Sequence, residues 1–549
     1  MNSNSLAFAA AGALALLLAA PRAHARLALS RAKHRSLGGH ARMSRRVARL
    51  IPFYEHGEDR FFRVDGAPPG IAAQRAAGFE RLAALYAARF PKTAAMAADA
   101  REGLSDLQFT GAYRVPFPFS RKVREALPAG GFAAAASGLT LTDLDGNIFH
   151  DLTGSYGLNL LGVDAYKTMI AEGAATVAAL GPVLGTLHPV VADNVRRLKA
   201  VSGLDEVSFH MSGTEAVMQA VRLARYHSGR SRIVRFAGAY HGWWGEVQPG
   251  VGNPTPADRT LTLADMSERA LAVLARRRDI ACVLVNPLQA MHPNAAAPGD
   301  SALVAGRRIA GVDRAAYAAW LKRLAAVCRA NRIMFIMDEV FTGFRLARGG
   351  ACEYFGVRAD MITYGKTLGG GLPVGVLCGR RELMRRSREG RPADICFARG
   401  TFNAHPYVMG AMDAFLRHIE GPAGAALYDG IDARWRDRAA ALGARLAAEG
   451  LPLRIAALGT IWSIQFERPS RYNWMLQYYL RAEGLALSWV GTGRLIFSLA
   501  YGDADFAAVA DRFVAAARAM AGDGWWWTPD GATEKRVRRQ ILREMIRRR

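Results

Sequence analysis

Short apolar runs alternate with longer helix-like stretches through the middle of the chain, from about Gly138 to Gly410. Strands that are separated by helices favour a mainly parallel sheet with helices on both faces. In such a sheet, ligands bind outside the carboxyl ends of the strands. Before these runs, 145–147 (Asp-Gly-Asn) has the composition of a hairpin turn between two short strands. The predicted strands of the sheet are 207–209, 232–236, 282–285, 333–337 and 361–364.

The flanking parts of the chain have a different pattern. Residues 26–110 are rich in Ala and Arg with helical periodicity, and a Pro-rich patch follows them. Residues 536–549 predict a basic amphipathic helix, which is usually a solvated tail; docking to a membrane or a carrier protein is the less favoured interpretation. We therefore divide the chain into an apolar segment (1–25), an accessory helical region (26–110), the first part of a small domain (111–165), a large domain (166–410), a C-terminal α+β small domain (411–522) and a basic tail (523–549).

The composition adds a strong positive charge. Lys and Arg number 72 against 47 Asp and Glu, a net charge of +25. Acidic partners are one interpretation, and an Arg-rich composition with two basic ends is the preferred one. No zinc-finger spacing or aromatic-basic RNA signature occurs, so we expect no nucleic-acid partner. The five cysteines are scattered without a CxxC, which indicates a reducing compartment and predicts no metal site.

Residues 6–20 are almost wholly apolar and precede a small-x-small string at 21–25. This resembles the apolar core and cleavage site of a signal peptide, but no Lys or Arg comes before it. The run is also short for a membrane span. We expect a cytoplasmic protein, and export, anchoring or a misplaced start stay open as alternatives.

Lys366 is the first candidate for chemistry, and it is one of only eight lysines. It follows a buried-looking strand and leads into three glycines, 369–371. A buried amine costs desolvation free energy unless it has a partner, and a Schiff base with an aldehyde cofactor provides one. A lysine in an exposed loop explains the same residues equally well. The glycines follow the lysine, which excludes a phosphate-binding P-loop.

Two acids, Asp338 and Glu339, end an apolar strand 28 residues before Lys366. One of them can pair with the protonated pyridine nitrogen of a cofactor ring. Asp338 is the preferred candidate, because neighbouring side chains of a strand point to opposite faces and Glu339 then points away. A helix cap or a surface acid is the alternative.

Ser212, Gly213 and Thr214 open a predicted helix, where free N–H groups and the helix dipole form a phosphate cradle. An ordinary N-cap with a capping glutamate is the alternative. Tyr240 follows the strand 232–236 and can stack on a cofactor ring, although a core tyrosine is the default interpretation.

Five strings occur in one order: SGTEA, AYHG, DEV-x-TGFR, GGACEYFGV and GK-x-LGGGLPVG. Together they resemble the class III pyridoxal-phosphate (PLP) aminotransferases, and most closely the glutamate-1-semialdehyde aminomutase branch. The resemblance covers roughly 138–410, with a weaker continuation to about 520. It implies an α/β protein of the PLP-dependent transferase fold type I, with a mostly parallel sheet flanked by helices in the large domain and a smaller α+β C-terminal domain.

The resemblance also implies roles for the cofactor-binding residues. Lys366 would hold PLP as a Schiff base and shuttle the proton, and Asp338 would pair with the pyridine nitrogen. Tyr240 would stack on the ring. The phosphate would be bound by Gly213 and Thr214, with a hydroxyl from Ser212 or Thr214.

Other positions bear on the partner subunit and the substrate. Thr401 resembles the family threonine that reaches the phosphate of the neighbouring subunit, which implies a homodimer with shared active sites. Tyr156 stands where the family places a substrate-pocket aromatic. The chain departs from the family at Asn286, where an acid is usual, and near Met291, where aminomutases place an asparagine. It departs again at 490–494, which lacks the acidic residue of the family and offers Arg494 as a candidate substrate contact instead.

A further departure concerns an arginine that aminomutases carry before the hairpin. Arg114, Arg121 and Arg124 occur in this part of the chain, but in a different frame. All these changes fall on substrate recognition and spare the cofactor residues.

The sequence therefore predicts an aminotransferase that moves an amino group from a small-molecule donor to a keto or aldehyde acceptor, and a carrier-bound acceptor is one option. An intramolecular aminomutase is the alternative within the same fold. A non-catalytic protein that retains the fold is a remote alternative, because both Lys366 and Asp338 are present.

Overall fold

The computed structural model describes residues 3–33, 39–248, 251–253, 258–288, 313–487 and 494–547. The N-terminal part is helical as predicted, and it is followed by three short strands. Its elements are α1 (Ser3–Ala32), α2 (Ala41–Ala48), α3 (Glu58–Phe61), α4 (Pro69–Arg89), α5 (Pro91–Gly103), α6 (Ser105–Tyr113), α7 (Ser120–Ala126), β1 (Ala133–Ser137), β2 (Thr140–Asp143) and β3 (Ile148–Asp151).

The middle of the chain alternates strands with helices. Its elements are α8 (Val163–Val177), α9 (Val190–Ser202), β4 (Glu206–His210), α10 (Gly213–Ser228), β5 (Arg232–Phe236), β6 (Thr260–Leu263), α11 (Glu268–Arg276), β7 (Ile280–Val285), α12 (Arg314–Ala330), β8 (Met334–Asp338), α13 (Gly350–Phe355), β9 (Met361–Gly365), β10 (Gly375–Gly379), α14 (Arg381–Met384), β11 (Ser387–Arg388), β12 (Arg391–Ile395) and α15 (Pro406–Glu420).

The C-terminal part combines longer helices with a small sheet. Its elements are α16 (Pro422–Ala426), α17 (Ile431–Ala448), β13 (Leu453–Leu458), β14 (Ile461–Phe466), α18 (Leu476–Ala482), β15 (Leu485–Ala486), β16 (Arg494–Ile496), α19 (Asp503–Gly522) and α20 (Glu534–Arg547).

The central sheet has the strand order β4-β10-β9-β8-β7-β5-β6. The pairs β5–β6, β5–β7, β7–β8 and β8–β9 are parallel, and β10 runs antiparallel to both of its neighbours. All six residues of β7 are buried, as expected for a strand that is covered by helices on both faces. The mostly parallel sheet flanked by helices confirms the predicted α/β class.

Two strands of this sheet were missing from the sequence-based prediction. β6 is only four residues long, and β10 begins and ends with glycine inside the glycine-rich run after Lys366. β6 is an edge strand that pairs only with β5, and glycine, which is depleted in strands, weakens the local signal of β10. The five predicted strands are present, with bounds that differ by at most two residues.

Segments far apart in the chain share the smaller sheets. β15 joins β1, β2 and β3 in one sheet and pairs parallel with β3, and β13, β14 and β16 form an antiparallel sheet. The division into domains stays a prediction. Four of its boundaries fall inside continuous helices: 25/26 in α1, 110/111 in α6, 165/166 in α8 and 410/411 in α15.

The accessory region is anchored to the C-terminal part by buried polar contacts. Arg75 of α4 is fully buried, binds both oxygens of Asp65 at 3.0 and 2.8 Å, and donates to the carbonyl of Gly524 at 3.0 Å. The Tyr86 hydroxyl donates to the carbonyl of Tyr478 at 2.9 Å. These contacts make the N-terminal helices an integral layer of the protein.

The C-terminal helix is also attached to the protein. Glu544 of α20 is buried and binds Arg471 at 2.7 Å and Arg60 at 2.8 Å. The prediction of a solvated tail is therefore wrong for this helix, because one face of it packs against other elements. In the part of the chain that the structure describes, no helix has both the length and the apolar character that crossing a membrane requires.

Candidate active site

Asp338 and Lys366 lie at the same edge of the central sheet. Asp338 is the last residue of β8, and Lys366 directly follows the last residue of β9, the neighbouring parallel strand. Their carboxyl ends therefore meet where an α/β sheet places its ligand. The hydroxyl of Thr363 on β9 donates to Oδ1 of Asp338 at 3.2 Å, which ties the two strand ends together.

The Lys366 side chain is surrounded closely by other groups. Its backbone is left-handed, with φ 49°, and its Nζ lies 5.5 Å from the ring centre of Phe341. A Cβ on Gly157 would lie 2.6 Å from the Phe341 ring and 3.3 Å from Lys366 Cδ, so only glycine fits there. Burial lowers the pKa of Lys366, the Asp338 charge raises it, and the Arg345 charge lowers it further.

Asp338 is 3% exposed and accepts three hydrogen bonds. His241 Nδ1 lies 2.7 Å from its Oδ2, and the N–H of Val340 and the hydroxyl of Thr363 lie 3.2 Å from its Oδ1. Burial lowers the pKa of His241, although Asp338 raises it. A neutral imidazole at this position donates its Nδ1–H to the carboxylate. These three contacts hold the Asp338 carboxylate in one orientation.

His241 stands in the AYHG string, and no role for it was predicted from the sequence. Its position in the sequence, directly after Tyr240, does not indicate how close it lies to Asp338. Its proximity to Asp338 arises because β5 and β8 both flank β7 in the sheet, with their carboxyl ends on the same side. A histidine beside a strand-end aromatic is the one sequence signal that pointed to it.

Glu339 points away from Asp338, as strand alternation predicts. Its carboxylate accepts the N–H groups of Ala351 at 2.6 Å and Cys352 at 2.7 Å and the hydroxyl of Thr342 at 3.1 Å. Burial raises its pKa to about 7, and these donors act in the opposite direction. Glu339 therefore fixes the start of α13 and stabilises the loop that follows Asp338.

The N-terminus of α10 carries the predicted phosphate cradle. Ser212 is its N-cap, and the Ser212 Oγ accepts the N–H of Glu215 at 3.2 Å, while Glu215 accepts the N–H of Met211 at 3.0 Å. The alternative of an ordinary N-cap thus describes Ser212 and Glu215. The N–H groups of Gly213 and Thr214 have no acceptor within the helix, as at every helix start.

Two glycines let three loops meet at this helix start. A Cβ on Gly213 would lie 2.5 Å from Val340 Cγ1, just after β8. A Cβ on Gly242 would lie 2.6 Å from the Thr214 hydroxyl. The cradle, the Tyr240–Gly242 loop and the Asp338 loop can contact one another because neither Gly213 nor Gly242 has a side chain.

Tyr240 lies at the exit of β5 and is 54% exposed. Burial and the nearby Asp338 raise the pKa of its phenol. The amide of Asn286 donates to the Tyr240 carbonyl at 3.0 Å, and Asn286 Oδ1 accepts the N–H of Leu288 at 3.1 Å. Asn286, which stands where the family usually has an acid, therefore stabilises the backbone of the Tyr240 loop. Met291 lies outside the described residues.

Tyr156 lies on a turn beside Gly157 and is 49% exposed, with a left-handed backbone (φ 58°). It lines a cavity together with Arg114 and Arg481. Of the three arginines that the sequence offered, Arg114 thus lies near the candidate substrate aromatic. Arg121 instead pairs with Glu55 at 2.9 Å.

The remaining candidates are placed on other elements. Arg494 is on β16, opposite Ser463 of β14. Thr401 is exposed on the turn before α15. The string before Arg494 lies outside the described residues. The structure thus brings Lys366, Asp338, Tyr240 and the start of α10 together, with Tyr156 beside Gly157.

Comparison with known proteins identifies the family of this chain. The profile of the family Aminotransferase class-III matches residues 124–517. Glutamate-1-semialdehyde 2,1-aminomutase of Methanothermobacter thermautotrophicus is 36% identical over 327 residues, which are 56% of this chain and 71% of that protein. That of Nitratidesulfovibrio vulgaris is 31% identical over 420 residues, 71% of this chain and 91% of that protein.

Solved structures show the same fold. A transaminase with PLP bound matches with a TM-score of 0.63 and 26% identity, over 79% of this chain and 98% of its own. PLP is the cofactor of this family, and its members act on small-molecule amino and carbonyl compounds. On the evidence of the family profile, these relatives and the α/β fold, the chain belongs to the class-III aminotransferases.

Proposed function

We propose that this chain transfers an amino group from an amino donor to a keto or aldehyde acceptor, with Lys366 as the residue that binds PLP covalently. The supporting observation is the placement of Lys366 and the thrice hydrogen-bonded Asp338 at the ends of adjacent parallel strands. A buried amine and a buried carboxylate at one ligand-binding edge fit the two reactive ends of the cofactor.

The residues present fit PLP at each of its parts. When bound, the cofactor supplies an aldehyde that reacts with primary amines and a ring that accepts an electron pair from the substrate. Asp338 would face the ring nitrogen, and its charge would keep that nitrogen protonated. The N–H groups of Gly213 and Thr214 would bind the phosphate, and Tyr240 would cover a face of the ring.

Lys366 also has the acid–base properties that proton transfer requires. Because burial and Arg345 lower its pKa, a larger fraction of the amine is neutral near pH 7 than in an exposed lysine. A neutral amine is both the nucleophile that binds an aldehyde and a base that removes a proton. Lys366 would thus remove the proton from the substrate carbon and deliver it to the atom that is protonated next.

Borohydride reduction of the PLP-loaded protein, followed by peptide mapping, tests the assignment. We expect the label on the peptide that contains Lys366. Lys366→Ala should abolish both the label and donor-dependent bleaching of the cofactor absorbance, and the exposed Lys322→Ala should retain both. A label on another lysine in the wild-type protein would overturn the proposal.

We also propose a homodimer in which Thr401 reaches the phosphate site of the partner. Its exposed position on the turn before α15 supports this, because such a residue must extend from its own subunit. Mixing inactive Lys366→Ala subunits with Thr401→Ala subunits should restore activity, since a mixed dimer contains one site with neither change. If the mixture stays as inactive as its components, Thr401 acts within its own subunit or not at all.

An intramolecular aminomutase is the second candidate, and the names of the curated relatives support it. Donor dependence separates the two. An aminotransferase consumes a donor and releases its keto acid in equal amounts, whereas a mutase rearranges its substrate without a donor. Formation of product from an amino aldehyde without any donor would favour the mutase.

A further inference from the structure

A basic cavity lies apart from the candidate active site, between α20 and two other segments of the chain. Its wall is formed by 65–66 from the N-terminal region, 469–471 after β14, and residues within 528–543. The first and last of these segments lie outside the residues 124–517 that match the family. Most of the cavity is therefore built by parts of the chain beyond the family match.

One face of α20 supplies most of the positive charge in this wall. Arg536, Arg539 and Arg543 are spaced three and four residues apart, so they project from the same face of the helix. Lys535 lines the cavity at the start of that face. The buried side chains Val537 and Glu544 attach the helix to the protein.

Asp65 in the cavity wall and Glu544 beside it are each paired with arginines. Among the described residues of the wall, Asp65 is the only acid, and both of its oxygens bind the buried Arg75. Glu544, next to the wall, binds Arg471 and Arg60. Within the described part of the chain, the cations on the α20 face form no ion pair with a carboxylate. The cavity thus keeps a large uncompensated positive charge.

Arg471 also lines the cavity, and its own charge is paired with the buried Glu544. It is 2% exposed, and its guanidinium also reaches the carbonyl of Val64 at 3.4 Å. Ser470 and Thr533 in the same wall offer hydroxyl groups to an anion.

We propose that this cavity binds a small molecule that carries two or more phosphoryl groups. Guanidinium groups match phosphoryl oxygens in pairs, and several phosphoryl charges are needed to balance this many cations. The wall is concave, so a small polyanion can contact several of the α20 cations at once. A membrane surface or a protein partner would contact only the outward side chains of α20.

Calorimetric titration of the PLP-loaded dimer or monomer, as purified, with inorganic pyrophosphate tests the proposal, because PLP then occupies the phosphate cradle. We expect saturable binding that weakens as NaCl is added. The double variant Arg539→Gln/Arg543→Gln should weaken binding by about tenfold or more, since each lost charge-assisted contact contributes on the order of a factor of ten. All of these side chains are exposed, so the variants should fold.

Arg538→Gln is the matched control, since Arg538 is on the same helix but outside the cavity wall and pairs with Glu534. It should change pyrophosphate affinity by less than about twofold, because an exposed charge beyond the wall is screened. Equal losses in both variants would reduce the effect to overall charge and overturn the proposal. So would the absence of saturable binding, or binding to phosphatidylglycerol vesicles without binding to pyrophosphate.

Discussion

His241 Nδ1 lies 2.7 Å from Oδ2 of Asp338, and both side chains are buried. Burial lowers the pKa of His241, although Asp338 raises it, and this favours a neutral imidazole that donates to the carboxylate. In the proposed function, this hydrogen bond would orient Asp338 toward the ring nitrogen of the cofactor. His241 acts as a positioning residue for Asp338.

His241→Leu should lower kcat by roughly 10- to 100-fold, because a hydrogen bond to a charged group contributes about 1.5–3 kcal/mol. His241→Asn should recover part of the loss, since its amide can donate near the position of Nδ1. Steady-state kinetics of both variants, with cofactor content measured by absorbance, checks this. Equal activity of the two variants would show that the histidine serves packing alone.

The pH response of Lys366 should depend on Asp338. The carboxylate raises the pKa of the amine, so Asp338→Asn should lower that pKa further and extend the neutral form to lower pH. The acid limb of the pH profile for PLP uptake by the apoprotein should therefore shift to lower pH.

Glu339→Gln is the control for this shift, because Glu339 points away from Lys366 and holds the start of α13. Its pH profile should match that of the wild type, whereas its thermal stability should fall. A profile of Asp338→Asn that stays in place or moves to higher pH would contradict the assigned coupling.

Gly213→Ala should weaken PLP binding by about tenfold or more. Its Cβ would lie 2.5 Å from Val340 Cγ1, so the start of α10 must move away from the Asp338 loop. Such overpacking costs about 1–3 kcal/mol. Gly443→Ala in α17 is the control, since its Cβ meets no atom within 4 Å, and it should stabilise the helix by about 0.5–1 kcal/mol. Fluorescence titration with PLP measures the PLP affinity of the two variants.

Arg345→Met should lower the free energy of unfolding by about 3 kcal/mol or more, because buried carbonyl groups would lose their donor. Arg345 is 1% exposed and donates to the Phe497 carbonyl at 2.7 Å, to Thr460 Oγ1 at 2.9 Å, and to the carbonyls of Gly157 and Asn159 at 3.1 Å. It thus joins the loop after β8 to the turn between β13 and β14 and to the segments that follow β16 and β3.

Denaturant unfolding measures this effect, with Arg348→Met as the comparison. Arg348 is exposed three residues later, and its loss should change stability by less than about 0.5 kcal/mol. Similar losses in the two variants would mean that the buried contacts of Arg345 contribute little.

Local chemistry was sufficient for several features of the fold and the site. Apolar runs such as 282–285 identified strands, strand alternation separated Asp338 from Glu339, and small residues at 212–214 marked a helix start. In each case the information lies within a few neighbouring residues. The short edge strand β6 and the glycine-bounded β10 give weaker local signals because of their length and their glycines, and both were missed.

Only the tertiary structure decided which of these pieces meet. The strand order brings Asp338, His241 and Lys366 to one edge although 28 residues or more separate Lys366 and His241 from Asp338. The tertiary structure also places the basic C-terminal helix in the wall of a cavity, because Glu544 of that helix is buried against Arg471. Hydrophobic periodicity specifies which face of an element is buried, but the partner of that face depends on long-range packing that no local pattern encodes.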